Sequence, residues 1–114
     1  MQRFSFEAER AFAPPDERLE RVTIAPLVMP GGVQAAVFRL AAGGRIARHA
    51  ATTPQVLAVV AGSGRVSGGA GNFEAIAAGE AVFWAAGEEH ETESEGGMTA
   101  LVLEAEGLEP WSRD

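Results

Sequence analysis

Short stretches rich in β-branched, aromatic and other apolar residues alternate along the chain with breaks rich in glycine and proline. The apolar stretches predict strands over residues 18–28, 32–40, 54–61, 65–67, 73–76, 80–84, 89–94 and 98–105. Breaks are predicted at residues 30–32, 41–44, 62–64 and 68–72. We interpret the glycine-rich breaks 62–64 and 68–71 as hairpin turns. No helical period extends beyond a turn or two, so the pattern predicts an all-β sandwich or barrel.

The length of 114 residues predicts one domain. Residues 1–17 are interpreted as an N-terminal arm or edge strand, with three aromatic residues as possible anchors: Phe4, Phe6 and Phe12. Residues 18–114 form the predicted barrel domain.

Two segments, residues 56–60 and 101–103, are apolar on both faces of a strand. A strand that is buried on one side only would alternate, so the outer face is expected to meet another layer. We favour a homodimer, and the alternative is an ordinary core of two sheets without a second subunit.

Composition excludes several classes of chemistry. The chain has no cysteine, so it can form neither a disulfide nor a thiolate metal site. Its net charge of −7 argues against nucleic-acid and membrane partners. The first 16 residues lack the basic start and apolar centre of a signal peptide, which predicts a cytoplasmic location. No organic cofactor is expected.

Only two histidines are present, His49 and His90, and each lies in a recognisable spacing of other residues. The first spacing comprises Gly43, His49, Ala51, Gln55 and Gly62. The second comprises Gly79, Ala85, Gly87, His90 and Ser94. Together they resemble the two-part motif of the cupins, G-x5-H-x-H-x3/4-E-x6-G and G-x5-P-x-G-x2-H-x3-N. The resemblance implies an RmlC-like, double-stranded β-helix, which is a jelly-roll β-barrel.

Alternation along each strand predicts which side chains point into the barrel. His90 would share its face with Glu88, whereas the opposite, solvated face would carry the other carboxylates of this segment. These are Glu89, Glu91, Glu93 and Glu95. Gln55 would share its face with Leu57, and His49 would share its face with Ala47. The two imidazoles would then converge inside the barrel.

The resemblance implies three histidines and one glutamate as ligands in metal-binding cupins. Ala51 stands here at the second histidine position, and Gln55 stands at the glutamate position. The predicted metal site is therefore a reduced set of His49, Gln55 and His90, completed by water, substrate or Glu88, for one divalent ion of Fe, Mn, Ni or Zn. The alternative is a polar patch that lines an empty or ligand-filled barrel. Both interpretations remain open.

Two functions follow from these interpretations. The first is a cupin-domain protein that binds a small molecule in a pocket of His49, Gln55, Leu57, Phe83 and His90. The second is a metal-dependent cupin enzyme of the dioxygenase or isomerase type. Catalytic residues and the ligand itself do not follow from the sequence.

Three arginines are weaker candidates for contacts with an anionic substrate: Arg39, Arg45 and Arg48. Solvation at the protein surface explains them equally well.

Overall fold

The computed structural model describes residues 1–28 and 31–111. Pro30, which the sequence pattern places in a turn, and residues 112–114, the end of the predicted barrel domain, lie outside the described residues. The strands are β1 (Leu19–Val28), β2 (Val33–Ala50), β3 (Gln55–Ser67), β4 (Glu74–Ala77), β5 (Ala81–Trp84), β6 (Glu89–Ser94) and β7 (Met98–Ala105). All seven pair in one antiparallel sheet, so the all-β prediction is confirmed.

Helical structure within the described residues is confined to one 3-10 turn, Ala8–Arg10. No helix in residues 1–28 and 31–111 is both long enough and apolar enough to cross a membrane.

The sheet closes on itself through its two long strands. β2 pairs with β6 and β7, and β3 pairs with the same two strands. This ring of four strands is a barrel, and β1, β4 and β5 extend it as further neighbours of β2 and β3. Since β2 and β3 both contribute to each half of the barrel, the arrangement is the predicted jelly roll.

Two of the predicted breaks are wrong, because the chain bends there without leaving the sheet. Residues 41–44 lie inside β2, and residues 62–64 lie inside β3. Gly43 has a φ of 79° and Gly62 a φ of 76°, values that L side chains rarely adopt. Each glycine therefore allows its strand to turn from one half of the barrel into the other while its neighbours stay paired.

The predicted hairpin at residues 68–72 is confirmed. β3 and β4 pair up to Val66 and Glu74, and the Gly71 N–H donates to the Gly68 carbonyl oxygen at 2.9 Å in the connecting turn. The predicted strands 89–94 and 98–105 coincide with β6 and β7.

The barrel interior is filled by alternate side chains of the strands, as the period of two requires. Its core includes Val22, Leu40, Leu57, Val59, Trp84, Met98, Ala100 and Val102. The N-terminal segment contacts the barrel edge through one isolated bridge, Phe12 to Ile24. Phe4, Phe6 and Phe12 themselves are about half exposed or more, at 64%, 49% and 52%. The separation of residues 1–17 from the barrel domain stays a prediction.

Candidate functional site

A cavity of about 290 Å³ opens inside the barrel. Its apolar wall includes Ile24, Phe38, Leu57, Trp84 and Val102. Its polar groups include His49, Gln55, His90, Thr92 and Glu104. A mostly apolar lining with a few convergent polar groups is typical of a small-molecule site, and the volume is at the small end for one.

The two histidines lie directly opposite each other on neighbouring strands. His49 of β2 pairs with His90 of β6, and their ring centroids are 4.4 Å apart with an angle of 54° between the planes. The convergence of both imidazoles on one cavity agrees with the geometry expected from the sequence.

A register shift between Ile46 and His49 brings both of these side chains to the cavity. Strict alternation would place them on opposite faces of β2, and it led to the expectation that Ala47 shares the face of His49. The shift, a bulge in β2, replaces that expectation, because an extra residue inverts the alternation beyond it. The bulge therefore aims His49 into the barrel.

Backbone carbonyls determine which nitrogen of each neutral imidazole carries the hydrogen. His49 Nδ1 lies 2.7 Å from the Ala47 carbonyl oxygen, and His90 Nδ1 lies 3.1 Å from that of Glu88. A carbonyl oxygen can only accept, so each neutral ring donates from Nδ1 and keeps a lone pair on Nε2. Each Nε2 is thus available to accept a hydrogen bond or to bind an electrophile.

His90 is held tightly from its other side. Its residue is only 3% exposed, and its ring stacks on Trp84 with centroids 4.3 Å apart. Trp84 is itself fixed, since its Nε1–H donates to the Ser67 carbonyl oxygen at 3.1 Å. Burial lowers the pKa of His90 below its ordinary 6.5, and the nearby His49 acts in the same direction. His90 is therefore mainly neutral at pH 7.

Glu104 is the functional candidate that sequence reasoning missed. It is directly opposite Gln55 across β3 and β7, and the Gln55 Nε2–H donates to its carboxylate at 2.5 Å. A signal was present in the sequence, because strict alternation along β7 places Glu104 on the same face as Val102 and Ala100. A carboxylate on the inner face of an otherwise apolar strand is costly to bury without a hydrogen-bond donor, and Gln55 supplies that donor.

The segment before β1 lines the mouth of the cavity with Pro14, Asp16 and Arg18, and Leu19, the first residue of β1, adjoins them. The Arg18 guanidinium donates to both carboxylate oxygens of Asp16, at distances from 2.6 to 3.2 Å. Hydrogen bonds from Arg18 lower the pKa of Asp16 to about 2, so this ion pair stands beside the imidazoles at any physiological pH.

Two residues expected at the site lie elsewhere. Phe83 does not line the cavity; it is on the outward face of β5 opposite Val56, and its neighbour Trp84 points inward instead. The carboxylate of Glu88 accepts the backbone N–H groups of Gly69 and Ala85, each at 3.0 Å. Those two bonds lower the pKa of Glu88 and hold it in the turn before β6, away from the cavity.

Solved structures show what the fold is similar to. The chain matches the polyketide cyclase RemF from Streptomyces resistomycificus with a TM-score of 0.82 at 20% identity, over 100% of this chain and 89% of that one. It matches an RmlC-like cupin from Shewanella frigidimarina NCIMB 400 with a TM-score of 0.74 at 20% identity, over 96% and 95% of the two chains. The chain has the cupin fold.

A third cupin-fold match is a predicted oxalate decarboxylase from Thermotoga maritima, with a TM-score of 0.69 at 22% identity over 74% of this chain and 79% of that chain. No family model and no curated protein sequence matches the chain. The likeness therefore extends to the fold, and the chemistry of the barrel has to be argued from its own residues.

The glycines at the positions of the cupin motif share one backbone feature, which explains why glycine is needed there. Gly43, Gly62, Gly79 and Gly87 all have positive φ, at 79°, 76°, 94° and 82°. Ser94, at the asparagine position of the motif, donates its hydroxyl to the Ser63 carbonyl oxygen at 2.6 Å and accepts the Gly97 N–H at 2.9 Å. The serine thus ties β6 to the bend of β3.

The ligand set of a metal-binding cupin is only half present in this barrel. His49 and His90 have the Nδ1–H to carbonyl bonds that orient metal-binding imidazoles. Gln55, however, donates an amide hydrogen to Glu104, and Ala51 has no side-chain atom that could ligate a metal. Within residues 1–28 and 31–111, no group of three or more His, Cys, Asp or Glu side chains is placed to hold a metal ion. The residues present do not fit the four-ligand metal site.

Proposed function

We propose that the protein binds a small ring compound that carries a hydroxyl group, with its ring in the barrel and its hydroxyl at the two imidazoles. The observation that carries this proposal is the pair of Nε2 lone pairs, which the Nδ1 bonds of His49 and His90 leave free. A hydroxyl donates one hydrogen, and a neutral imidazole nitrogen is a good acceptor for it.

The walls of the cavity favour a ring as the body of the ligand. Phe38, Leu57 and Trp84 offer apolar and aromatic surface, and a volume of about 290 Å³ suits one or two fused rings. The polar end opposite the apolar wall carries Gln55 and Glu104, which supply further sites for a second oxygen or nitrogen of the ligand.

The whole-length likeness to a polyketide cyclase supports the same class of ligand. Polyketides are carbon chains that bear carbonyl and hydroxyl oxygens, and cyclisation turns them into rings. A barrel of similar shape with two hydrogen-bond acceptors and an aromatic wall is suited to such a molecule. Binding is what we propose, and a catalytic step is not assigned to any residue.

Titration with indan-5-ol tests this proposal. In a Trp111→Phe background, Trp84 is the only tryptophan, so a single indole N–H signal in an ¹H–¹⁵N spectrum reports on the cavity wall. We expect this signal to shift saturably with indan-5-ol. Indane, which has the same rings without the hydroxyl, should bind more weakly, by roughly tenfold, since one hydrogen bond is lost.

Variants distinguish hydrogen bonding from simple apolar binding. Because the hydroxyl has one hydrogen to donate, at least one of the variants His49→Leu and His90→Leu should remove the preference for indan-5-ol over indane. Asn72→Ala, in the exposed turn between β3 and β4, is the matched control and should preserve that preference. The proposal fails if indan-5-ol does not bind, or if both leucine variants still prefer it over indane.

A metal-dependent enzyme of the dioxygenase or isomerase type is the second candidate. The orientation of both imidazoles by carbonyl oxygens favours it, because metal-binding histidines are usually held in this way. Elemental analysis of untagged protein tests it. One equivalent of Fe, Mn, Ni or Zn that disappears in the His49→Leu, His90→Leu double variant would support a metal held by His49, Gln55 and His90. Metal-free protein that stays metal-free after dialysis against these ions would eliminate this candidate.

A further inference from the structure

A second and larger cavity, of about 680 Å³, lies outside the histidine site, beside the bend of β2. We call it the outer groove. Much of its lining is apolar and includes Pro14, Leu40, Ala61 and Met98. Two arginines, Arg21 and Arg39, also line it. The combination of an apolar surface with two guanidinium groups is what makes the outer groove unusual.

A polar row crosses three neighbouring strands in the outer groove. Arg39 of β2 is directly opposite Thr23 of β1 on one side and Thr99 of β7 on the other. Directly paired residues of antiparallel strands present their side chains on the same face, so two hydroxyls flank the Arg39 side chain. All three residues line the groove. Guanidinium and hydroxyl groups together form a set of hydrogen-bond donors for an anion.

Arg39 has a buried donor without a partner. Its Nη1 atom is buried and makes no hydrogen bond to any of the described residues, and Nε of Arg45, on the outer face of the barrel, is in the same state. A buried N–H without an acceptor is costly, and such a group needs an explanation. The Nη1 atom itself does not face the outer groove, so an anion there would accept hydrogen bonds from the other guanidinium nitrogens of Arg39.

The arginines elsewhere on the barrel are paired with carboxylates. Arg45, Arg48 and Arg65 form ion pairs with Glu91, Glu89 and Glu93 across the outer face of β6, and Arg18 pairs with Asp16. Among the described residues, neither Arg21 nor Arg39 has a carboxylate within ion-pair distance. In a chain with a net charge of −7, two arginines without such partners in one groove are notable.

Backbone strain positions the second arginine. Arg21 is the non-glycine residue with a positive φ, 56°, in the described part of the chain, and it lies at a register shift between Glu20 and Val22. This conformation is disfavoured for L residues and tends to be retained where function requires it. The Arg21 Nη1–H donates to the Ala42 carbonyl oxygen at 3.2 Å, which holds the guanidinium at the bend of β2.

We propose that the outer groove binds a carboxylate that carries an apolar chain. The carboxylate accepts hydrogen bonds from Arg39 and from the hydroxyls of Thr23 and Thr99, with Arg21 adding a second positive charge. The apolar chain lies along the outward-facing part of the lining, beside Ala41 and Ala61. This site adjoins the barrel cavity at Pro14 and Leu19, which line both, and it does not depend on the function proposed for that cavity.

A titration of the protein with sodium octanoate tests the site, followed in ¹H–¹⁵N spectra. We expect saturable shifts at Thr23, Ala61 and Thr99. Octan-1-ol has the same chain without the charge and should bind at least tenfold more weakly, because charge-assisted hydrogen bonds are lost. The affinity for octanoate should also fall as salt is raised, since the groove is open to solvent.

Variants assign the binding to the two arginines. Arg39→Gln should weaken octanoate binding by tenfold or more, and Arg21→Gln should weaken it by a smaller factor. Arg39→Lys retains the charge but not the planar donor fork, so it should bind with intermediate affinity, and it keeps the test valid if the glutamine variant is unstable. Arg3→Gln removes the same charge from the exposed N-terminal segment and should leave the affinity unchanged.

Several results would overturn this site. These are the absence of saturable binding, equal affinities of the Arg39→Gln and Arg3→Gln proteins, and equal binding of octan-1-ol and octanoate. Shifts confined to the Trp84 indole would place octanoate in the barrel and would also contradict the proposal. If the protein is a dimer that covers the groove, octanoate will fail to bind the dimer, which counts against the proposal in the same way.

Discussion

The chemistry of the barrel depends on single atoms, the four ring nitrogens of His49 and His90. The two Nδ1 atoms are committed to carbonyl oxygens, and this leaves both Nε2 atoms with lone pairs. Burial lowers the pKa of His90 and so keeps its ring uncharged near neutral pH. Two Nε2 atoms with lone pairs within one small cavity favour a ligand that donates hydrogen.

The ionisation of His90 can be tested directly. We expect its imidazole to titrate with a midpoint below 6.5, because burial disfavours the charged ring. The free energy of unfolding should therefore be fully retained above about pH 6.5 and should fall as the pH decreases towards the midpoint of the folded protein. The ring Cε1–H signal measures this midpoint. In the His49→Leu variant His90 is the only histidine, so this variant shows which signal belongs to His90. A midpoint at or above 6.5 would contradict the account.

Restoring the missing ligands should create a metal site. Ala51 is buried and lies beside both histidines and Gln55 at the mouth of the barrel. The double variant Ala51→His, Gln55→Glu adds an imidazole and an anionic oxygen, so we expect its affinity for Zn²⁺ to rise by at least about a hundredfold. Isothermal titration measures the change, with Ala85→His, at an exposed position of the second motif, as the control. Unchanged affinity would show that these four positions do not converge.

At this scale the sequence predicted His49, Gln55, Leu57 and His90 at the cavity, because motif spacing and alternation both place them inward. The predictions that placed Phe83 and Glu88 at the cavity are wrong, because side-chain alternation within a strand does not determine where a strand begins or how a turn is arranged. β5 begins at a position that turns Trp84 rather than Phe83 inward, and Glu88 lies in a turn where backbone N–H groups take its carboxylate.

Among the elements, β2 and β3 determine the shape of the barrel because each continues through a glycine bend. A break and a bend have the same composition, since both need glycine at positive φ. What distinguishes them is pairing with distant strands, such as Gly62 with Met98, and this information is not local in sequence. The bulge that aims His49 inward escapes prediction for the same reason.

The bend of β3 tolerates no side chain. A Cβ atom on Gly62 would lie 2.3 Å from the Gly97 carbonyl oxygen, whereas one on Gly71, also at positive φ, would contact nothing within 4 Å. Gly62→Ala and Gly71→Ala share the conformational cost of about 1 kcal/mol, and only Gly62→Ala adds a clash. We expect Gly62→Ala to lower the free energy of unfolding by about 2 kcal/mol more than Gly71→Ala does. Chemical denaturation measures the free energy of unfolding of each variant. Equal losses in the two variants would contradict the close approach of Gly62 to Gly97.

For the whole molecule, the open question is what covers the outer face of β3 and β7. Val56 pairs with Leu103 and Ala58 pairs with Leu101, so these four apolar side chains share a face and are only partly buried. All the described strands belong to one sheet, so no second sheet lies over them within residues 1–28 and 31–111. The expected second subunit and the alternative of a two-sheet core without a dimer therefore both stay proposals.

The molar mass in solution tests whether the protein forms a homodimer through this face. Light scattering after size exclusion should give twice the 11.9 kDa of the chain. Leu101→Glu should shift the protein towards the monomer, because it places a charge in an apolar contact. Ala75→Glu, on the exposed side of β4, should not. A monomer at all concentrations, or equal behaviour of the two variants, would eliminate this interface.

The most direct test of the account is the state of the two imidazoles with and without a ligand. Long-range ¹H–¹⁵N spectra of the histidine rings at pH 7.5 should show hydrogen on Nδ1 and a lone pair on Nε2 in both residues. Indan-5-ol should then move at least one of the two Nε2 signals, as acceptance of its single hydroxyl hydrogen does, and should leave both Nδ1 signals nearly unchanged. Hydrogen on Nε2 in either ring, or Nε2 signals that do not respond to indan-5-ol, would contradict it.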